Sequence, residues 1–324
     1  MIATLGEALV DMIEQPDGRF QACLGGSVFN TAIGLARQGV PTAYLNPMST
    51  DKFGVKFAAR LQETGVHAAA APSERPTSLA IVSIDANGAP TYVFHREHVA
   101  DRDISAASVI ASFPPTMALL HTGGLALVPE DGATLTAALH AAAAGGALFS
   151  IDANLRPLVA GELARYVDAV RQALRLAHIV KVSDEDLAHM GLGEATLAEV
   201  AAALFEDSSV ELIAVTRGGH AASLVSRSCQ VELATPSDLN LIDTVGAGDC
   251  FQAGLIGHLY RGGMLTSAAA LRQLDAATLR AALGHAICAA SVNVTRAGCD
   301  PATWEQTIQF GIDRENLIAM TSGA

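Results

Sequence analysis

The sequence predicts an α/β protein: a doubly wound, mostly parallel sheet with helices on both faces, plus a small β-sheet lid. Three observations carry this expectation. Short apolar runs of strand length alternate with helix-length segments along the chain. Two early helical segments run into glycine (Gly39 and Gly65), a common helix stop. The stretch 77–95 breaks the rhythm with two β-rich runs and Asn87-Gly88 in the loop between them, a strong hairpin signal.

In chain order, the expected parallel strands are 2–5, 42–45, 118–121, 147–152, 179–182 and 212–215. The expected helices are 28–38, 53–63, 132–144, 163–174, 197–205, 249–260 and 276–290. The runs 77–84 and 91–95 form a hairpin outside the parallel sheet. The stretch 10–22, with Asp17-Gly18 at its middle, forms another. Two neighbouring hairpins make a small sheet, so residues 1–324 read as one unit whose lid comes from about 11–23 and 76–100. The lid sheet is also the expected surface for a homodimer.

Composition narrows the function. The 324 residues are 50% hydrophobic and 16% charged, too apolar for a disordered chain. A net charge of −13 argues against nucleic-acid partners and against docking on anionic membranes, both of which need a basic face. Five scattered cysteines without a CxxC pair read as reduced thiols, and the acidic N-terminal stretch does not read as a signal peptide; the expected location is the cytoplasm.

The segment Asp243-Thr244-Val245-Gly246-Ala247-Gly248-Asp249, running directly into a helix, carries the chemistry. Small residues let backbone N–H groups turn inward, and the helix start adds free donors and the positive end of its dipole. Together they form an anion hole suited to phosphate, from Gly246, Ala247 and Gly248. Asp249, on the first turn, is placed to take a proton from a hydroxyl while the amides hold the transferring phosphoryl group. A Walker A loop is excluded, because none of Lys52, Lys56 and Lys181 follows a glycine. A dinucleotide fingerprint is excluded by the missing third glycine and the late position. His95 and His98 lack a third zinc ligand, and His121 reads as a structural histidine.

DTVGAGD resembles the C-terminal signature of the ribokinase-like (PfkB) carbohydrate kinases. Gly25-Gly26-Ser27-Val28-Phe29-Asn30 is similar to the family's GGxxxN pattern. Gly6 to Asp11 resembles the GExxxD opening of its sugar kinases, and Asp152 to Arg156 the DxNxR segment of its fructokinase and 2-keto-3-deoxygluconate kinase branches. The resemblance implies that Asp11 and Asn30 bond sugar hydroxyls, with Gly25 and Gly26 allowing close approach, and that Arg96 reaches in from the lid while Arg156 orients the substrate. It implies that Thr216, Gly218 and Gly219 line the ATP phosphates, although Ala221 stands where the family has a further glycine. The segment 289–298 resembles the adenine lining. The family's NxxE motif corresponds here to Ser183 and Asp186, so Asp186, with Glu185, would hold magnesium through water. Asp243 would lie beside a monovalent cation, K⁺.

The implied activity is an ATP- and Mg²⁺-dependent sugar kinase acting on a primary hydroxyl, most like a fructokinase. A 2-keto-3-deoxygluconate kinase shares the pattern, and its carboxylate would suit Arg96 and Arg156. The alternative from another class is a sugar- or nucleotide-binding regulator without catalysis; the intact Asp249 and anion-hole glycines speak against it.

Overall fold

The computed structural model describes residues 1–84, 90–159 and 161–314. Asn87-Gly88, the expected turn, lies outside the described residues. Among these, thirteen strands form two sheets. They are β1 (Ile2–Leu5), β2 (Leu9–Glu14), β3 (Phe20–Gly25), β4 (Thr42–Tyr44), β5 (His67–Ala68), β6 (Ser78–Ile84), β7 (Pro90–His95), β8 (Leu119–Gly123), β9 (Leu148–Asp152), β10 (Ile179–Ser183), β11 (Leu212–Arg217), β12 (Ala221–Ser226) and β13 (Gln230–Ala234).

The large sheet runs in the order β13-β12-β11-β10-β9-β8-β1-β4-β5. From β11 to β5 every neighbour is parallel; only β12 and β13 are antiparallel. The six expected strands are all present. The expected list lacked β5, β12 and β13. β12 and β13 continue from β11 as a tight meander, and the region after Val215 lacks the helical pattern that marks the other crossovers.

Alternation along each strand builds two apolar layers. Ala3, Leu120, Ile151, Val180 and Ile213 face one layer of helices. Ile2, Leu119, Leu148, Ile179 and Leu212 face the other, which contains Phe251 and Leu255 of the helix Ala247–Arg261. The seven expected helices are present, Gly132–Ala144 and Leu197–Phe205 with the expected bounds and the other five with shifted ends. Four short ones, Ala106–Ala111, Asp184–His189, Ala268–Arg272 and Trp304–Ile312, were not expected from the pattern. Among the described residues, no helix is long and apolar enough to cross a membrane.

The second sheet has the order β3-β2-β6-β7. The β2–β3 and β6–β7 pairs are antiparallel, as the hairpin signals require, and β2 pairs with β6 in parallel along Leu9 to Ile13. The two hairpins therefore form one continuous four-stranded sheet, separate from the large one.

Candidate active site

Two parallel helices bring the ends of the chain together. The helix Ser27–Arg37 runs beside Ala247–Arg261, and small residues set the seam. A Cβ on Gly34 would lie 2.6 Å from Ala253 Cβ, and one on Gly257 would lie 2.9 Å from Gln38 Cβ. Stepping one turn back from Gly34 and Ala253 places Asn30 beside Asp249. Asn30 Nδ2 donates to Asp249 Oδ2 at 2.9 Å, and Ser27 Oγ donates to Oδ1 at 2.6 Å. Both carboxylate oxygens are thus held from the N-terminal half of the chain.

Asp249 is buried. Burial pushes its carboxyl above the ordinary aspartate value, while the Ser27 and Asn30 bonds and the charges of Lys181 and Arg156 pull it back down. The helix start beside it is open. Gly246 is the N-cap with φ +74°, and no side chain caps the helix. Among the described residues, the Gly248 and Asp249 N–H groups meet no protein acceptor, as first-turn amides do unless something is bound to them. Gly246 has two reasons to be glycine: its left-handed backbone, and Cys299 Sγ only 2.3 Å from where a Cβ would stand. The three expected anion-hole residues therefore lie together at the N-terminus of a fifteen-residue helix.

Most of the residues expected to bind the sugar gather at the β2–β3 hairpin. Asp11 sits on β2 opposite Cys23, and its Oδ2 lies 2.5 Å from where a Gly25 Cβ would be, so only glycine at 25 leaves room for the carboxylate. Burial lifts Asp11 to about 6, against the opposing pull of Arg156. Gly26 has φ +107°, with the Glu7 carbonyl oxygen where a Cβ would go. Arg156 is exposed, just past the end of β9, and donates to Leu155 O. Arg96 is placed differently from the rest. It is buried beside Asp101 and donates to Leu125 O, in a small cavity also lined by Glu7, Asn46 and Arg102. Two buried carboxylates, Glu7 and Asp101, account for its position there.

The nucleotide candidates lie at the turn between β11 and β12. Thr216 is level with Ser183, at the C-terminal end of the parallel strands, and Gly218 has φ +51° in an exposed turn. Open α/β sheets place ligands at this edge. Ala221, in place of a glycine, opens β12.

Asp186 does not present a vacant carboxylate. Its Oδ1 accepts from Leu155 N at 2.7 Å and its Oδ2 from Ser183 N and Oγ at 2.8 and 2.9 Å, the last two as part of a capping box. Glu185 is exposed. Among the described residues, no group of three or more His, Cys, Asp or Glu is placed to hold a metal ion. This donor set does not fit a protein-ligated metal; a divalent ion would come with the nucleotide's phosphates. Asp243 accepts from Val245 N and Gly298 N, tying the glycine loop to the segment that follows the helix Ala276–Val294.

Three residues at the site were not anticipated. Ser27 is the direct partner of Asp249. Glu7 accepts from Ser27 N at 3.0 Å, and burial raises its carboxyl to about 7. Lys181, buried on β10, bonds both oxygens of Asp152 at 3.0 and 2.9 Å. His121 is buried, shares a hydrogen bond with Ser150 Oγ through Nδ1 at 3.1 Å, and has its pKa lowered to about 3 by burial.

The profile of the pfkB family carbohydrate kinases matches residues 1–306. A fructokinase from Rhizobium leguminosarum bv. trifolii is 32% identical over 273 residues, covering 82% of each chain. The solved fructokinase of Xylella fastidiosa with bound ATP superposes with a TM-score of 0.85 at 24% identity, over 97% of this chain and 98% of that one. The fructokinase of Vibrio cholerae O395, solved with fructose, ADP and calcium, has a TM-score of 0.78 at 25% identity, over 96% of this chain and 99% of that one. With the glycine loop, the Asp249 carboxylate and the two-sheet fold in place, this chain belongs to the pfkB family of carbohydrate kinases, enzymes that transfer a phosphoryl group to a hydroxyl of a sugar.

Proposed function

We propose that the chain is an ATP-dependent fructokinase. The observation that carries this is the Asp249 carboxylate, held by Ser27 and Asn30 at the open N-terminus of the helix Ala247–Arg261. Asp249 takes the proton of a primary hydroxyl as that oxygen attacks the γ-phosphorus, and the open Gly248 and Asp249 amides, with the Gly246 amide beside them, receive the charge on the phosphoryl oxygens, while the Ala247 N–H donates to Thr244 O and holds the turn. Asp11 and Arg156 bind the sugar. Thr216, Gly218 and Gly219 lie toward the ATP phosphates, and a divalent ion accompanies the nucleotide and neutralises part of its charge.

The four-stranded sheet acts as the lid, excluding water as a competing acceptor. Its exposed Phe20 and Val93, on one face by the strand register, suit an added role as a homodimer surface, which sedimentation would test. The fructokinases among the relatives favour fructose over 2-keto-3-deoxygluconate. The deciding experiment measures ADP release over fructose, ketodeoxygluconate, ribose, tagatose, fructose 6-phosphate and nucleosides. Fructose should give the highest kcat/KM. Preference for another of these would reassign the substrate, and no turnover with any would favour the non-catalytic regulator.

A further inference from the structure

Lysine is rare inside a buried parallel strand. Lys181 stands in the middle of β10, between Val180 and Val182, and is almost fully buried. Alternation decides where it points. Val180 and Val182 face one helix layer, so Ile179 and Lys181 face the other, the layer of the helix Ala247–Arg261. The lysine therefore extends toward the start of that helix. A Cβ built on Gly248 would lie 3.2 Å from Lys181 Nζ, so the ammonium occupies the space that a side chain at the centre of the anion hole would fill.

Its hydrogen bonds place it further. Both go to the carboxylate of Asp152, which lies on the same face at the end of the neighbouring β9. An ammonium has three hydrogens, so Asp152 leaves one for another acceptor. Burial works against the charge, yet Asp152, Asp186 and Asp249 together outweigh it and hold the lysine protonated. A structural ion pair would bury both partners among apolar neighbours, and such pairs add little stability. This pair lies beside the open amides of Gly248 and Asp249 instead.

We propose that Lys181 is a catalytic residue that binds an oxygen of the transferring γ-phosphoryl group, with Asp152 as the positioning residue that aims it. The proposal rests on the kinase reading above. In the step it serves, the sugar oxygen bonds to the γ-phosphorus and its proton passes to Asp249. The bond from that phosphorus to the β,γ-bridging oxygen breaks, and its electron pair leaves with ADP. Lys181 keeps its three protons throughout and supplies charge where the three equatorial oxygens gather it. The site thus contains a buried counterpart to a P-loop lysine, delivered by a strand rather than by a glycine loop.

The test compares binding of the β,γ-methylene analogue of ATP and of ADP by calorimetry, with ADP release on the preferred sugar. Lys181→Met should weaken the ATP analogue by roughly tenfold or more and ADP by less than about twofold, because only the former has a γ-phosphoryl group. It should lower kcat by roughly 10²-fold or more while the sugar KM changes little. Lys181→Met leaves Asp152 buried without its partner, so the neutral pair Lys181→Met with Asp152→Asn is measured beside it, with circular dichroism for folding. The pair should remain as impaired as the single variant. Recovery of kcat in the pair, or equal loss of both nucleotides in Lys181→Met, would overturn the role of Lys181 and leave the kinase reading intact. A wild-type chain that binds neither nucleotide and releases no ADP would overturn both.

Discussion

Ser27 Oγ lies 2.6 Å from Asp249 Oδ1, joining two positions 222 residues apart. Ser27 opens one helix and Asp249 stands on the first turn of its neighbour. The bond exists because those helices run parallel on a seam of small residues. It holds the Asp249 carboxylate in one rotamer and stabilises its charged form.

Removing the base tests the chemistry. Asp249→Asn keeps the size of the side chain and should lower kcat by roughly 10²- to 10⁴-fold, with sugar affinity by calorimetry nearly unchanged. Turnover near the wild-type level would show that another group takes the proton.

Removing its partner tests the tuning. The Ser27 bond lowers the Asp249 pKa, so Ser27→Ala should raise it. The base must be ionised to act, so the acid limb of the kcat/KM profile should move to higher pH. The loss at the plateau should be smaller, roughly tenfold for one charge-assisted hydrogen bond.

Gly25→Ala tests sugar binding. Its methyl group would lie 2.5 Å from Asp11 Oδ2 and must displace that carboxylate. The expected result is a KM for the sugar raised by roughly tenfold or more, with kcat changed much less, as for lost uniform binding.

Glu7 predicts a pH dependence of stability. Burial raises its pKa from 4.5 to about 7 in the folded state. Between those values the folded chain holds a proton that the unfolded chain has released, so stability is greatest below 4.5, falls as pH rises to about 7, and is level above. Asp11 and Asp152, both raised to about 6, act in the same sense. Glu7→Gln should therefore flatten only part of the decline between about pH 4.5 and 7, by up to roughly 3 kcal/mol in urea titrations. An unchanged slope would contradict the raised value.

Six of the nine strands of the large sheet were legible because they are apolar runs separated by helix-length spacers. The anion hole was legible because Gly246, Ala247, Gly248 and Asp249 are contiguous. What could not be read depends on partners distant in sequence. Ser27 occupies a position within the GGxxxN pattern that the pattern leaves open, and its partner lies on another helix. Lys181 had one available signal, a lone cation at an inward position of an apolar strand. Its meaning depended on Asp152, 29 residues away, and on Gly248. Asp152 itself was noticed only as part of DxNxR. The parallel pairing of β2 with β6 leaves no local mark, since each hairpin signal specifies only its own two strands.

The β2–β3 hairpin is leashed at both ends. Three residues, Gly6 to Ala8, separate it from β1, and Gly26 alone separates it from the helix Ser27–Arg37. At about 3.5 Å per residue, neither leash is long enough for the small sheet to slide across the large one. For the small sheet to act as the proposed lid, it must therefore swing about this edge, with the axis beside Glu7 and Ser27. Because β6 is zipped to β2, the second hairpin must turn with the first. The two residues that brace the base thus stand at the pivot, where a given rotation displaces atoms least, and the tip of the lid can travel while Asp249 stays aimed.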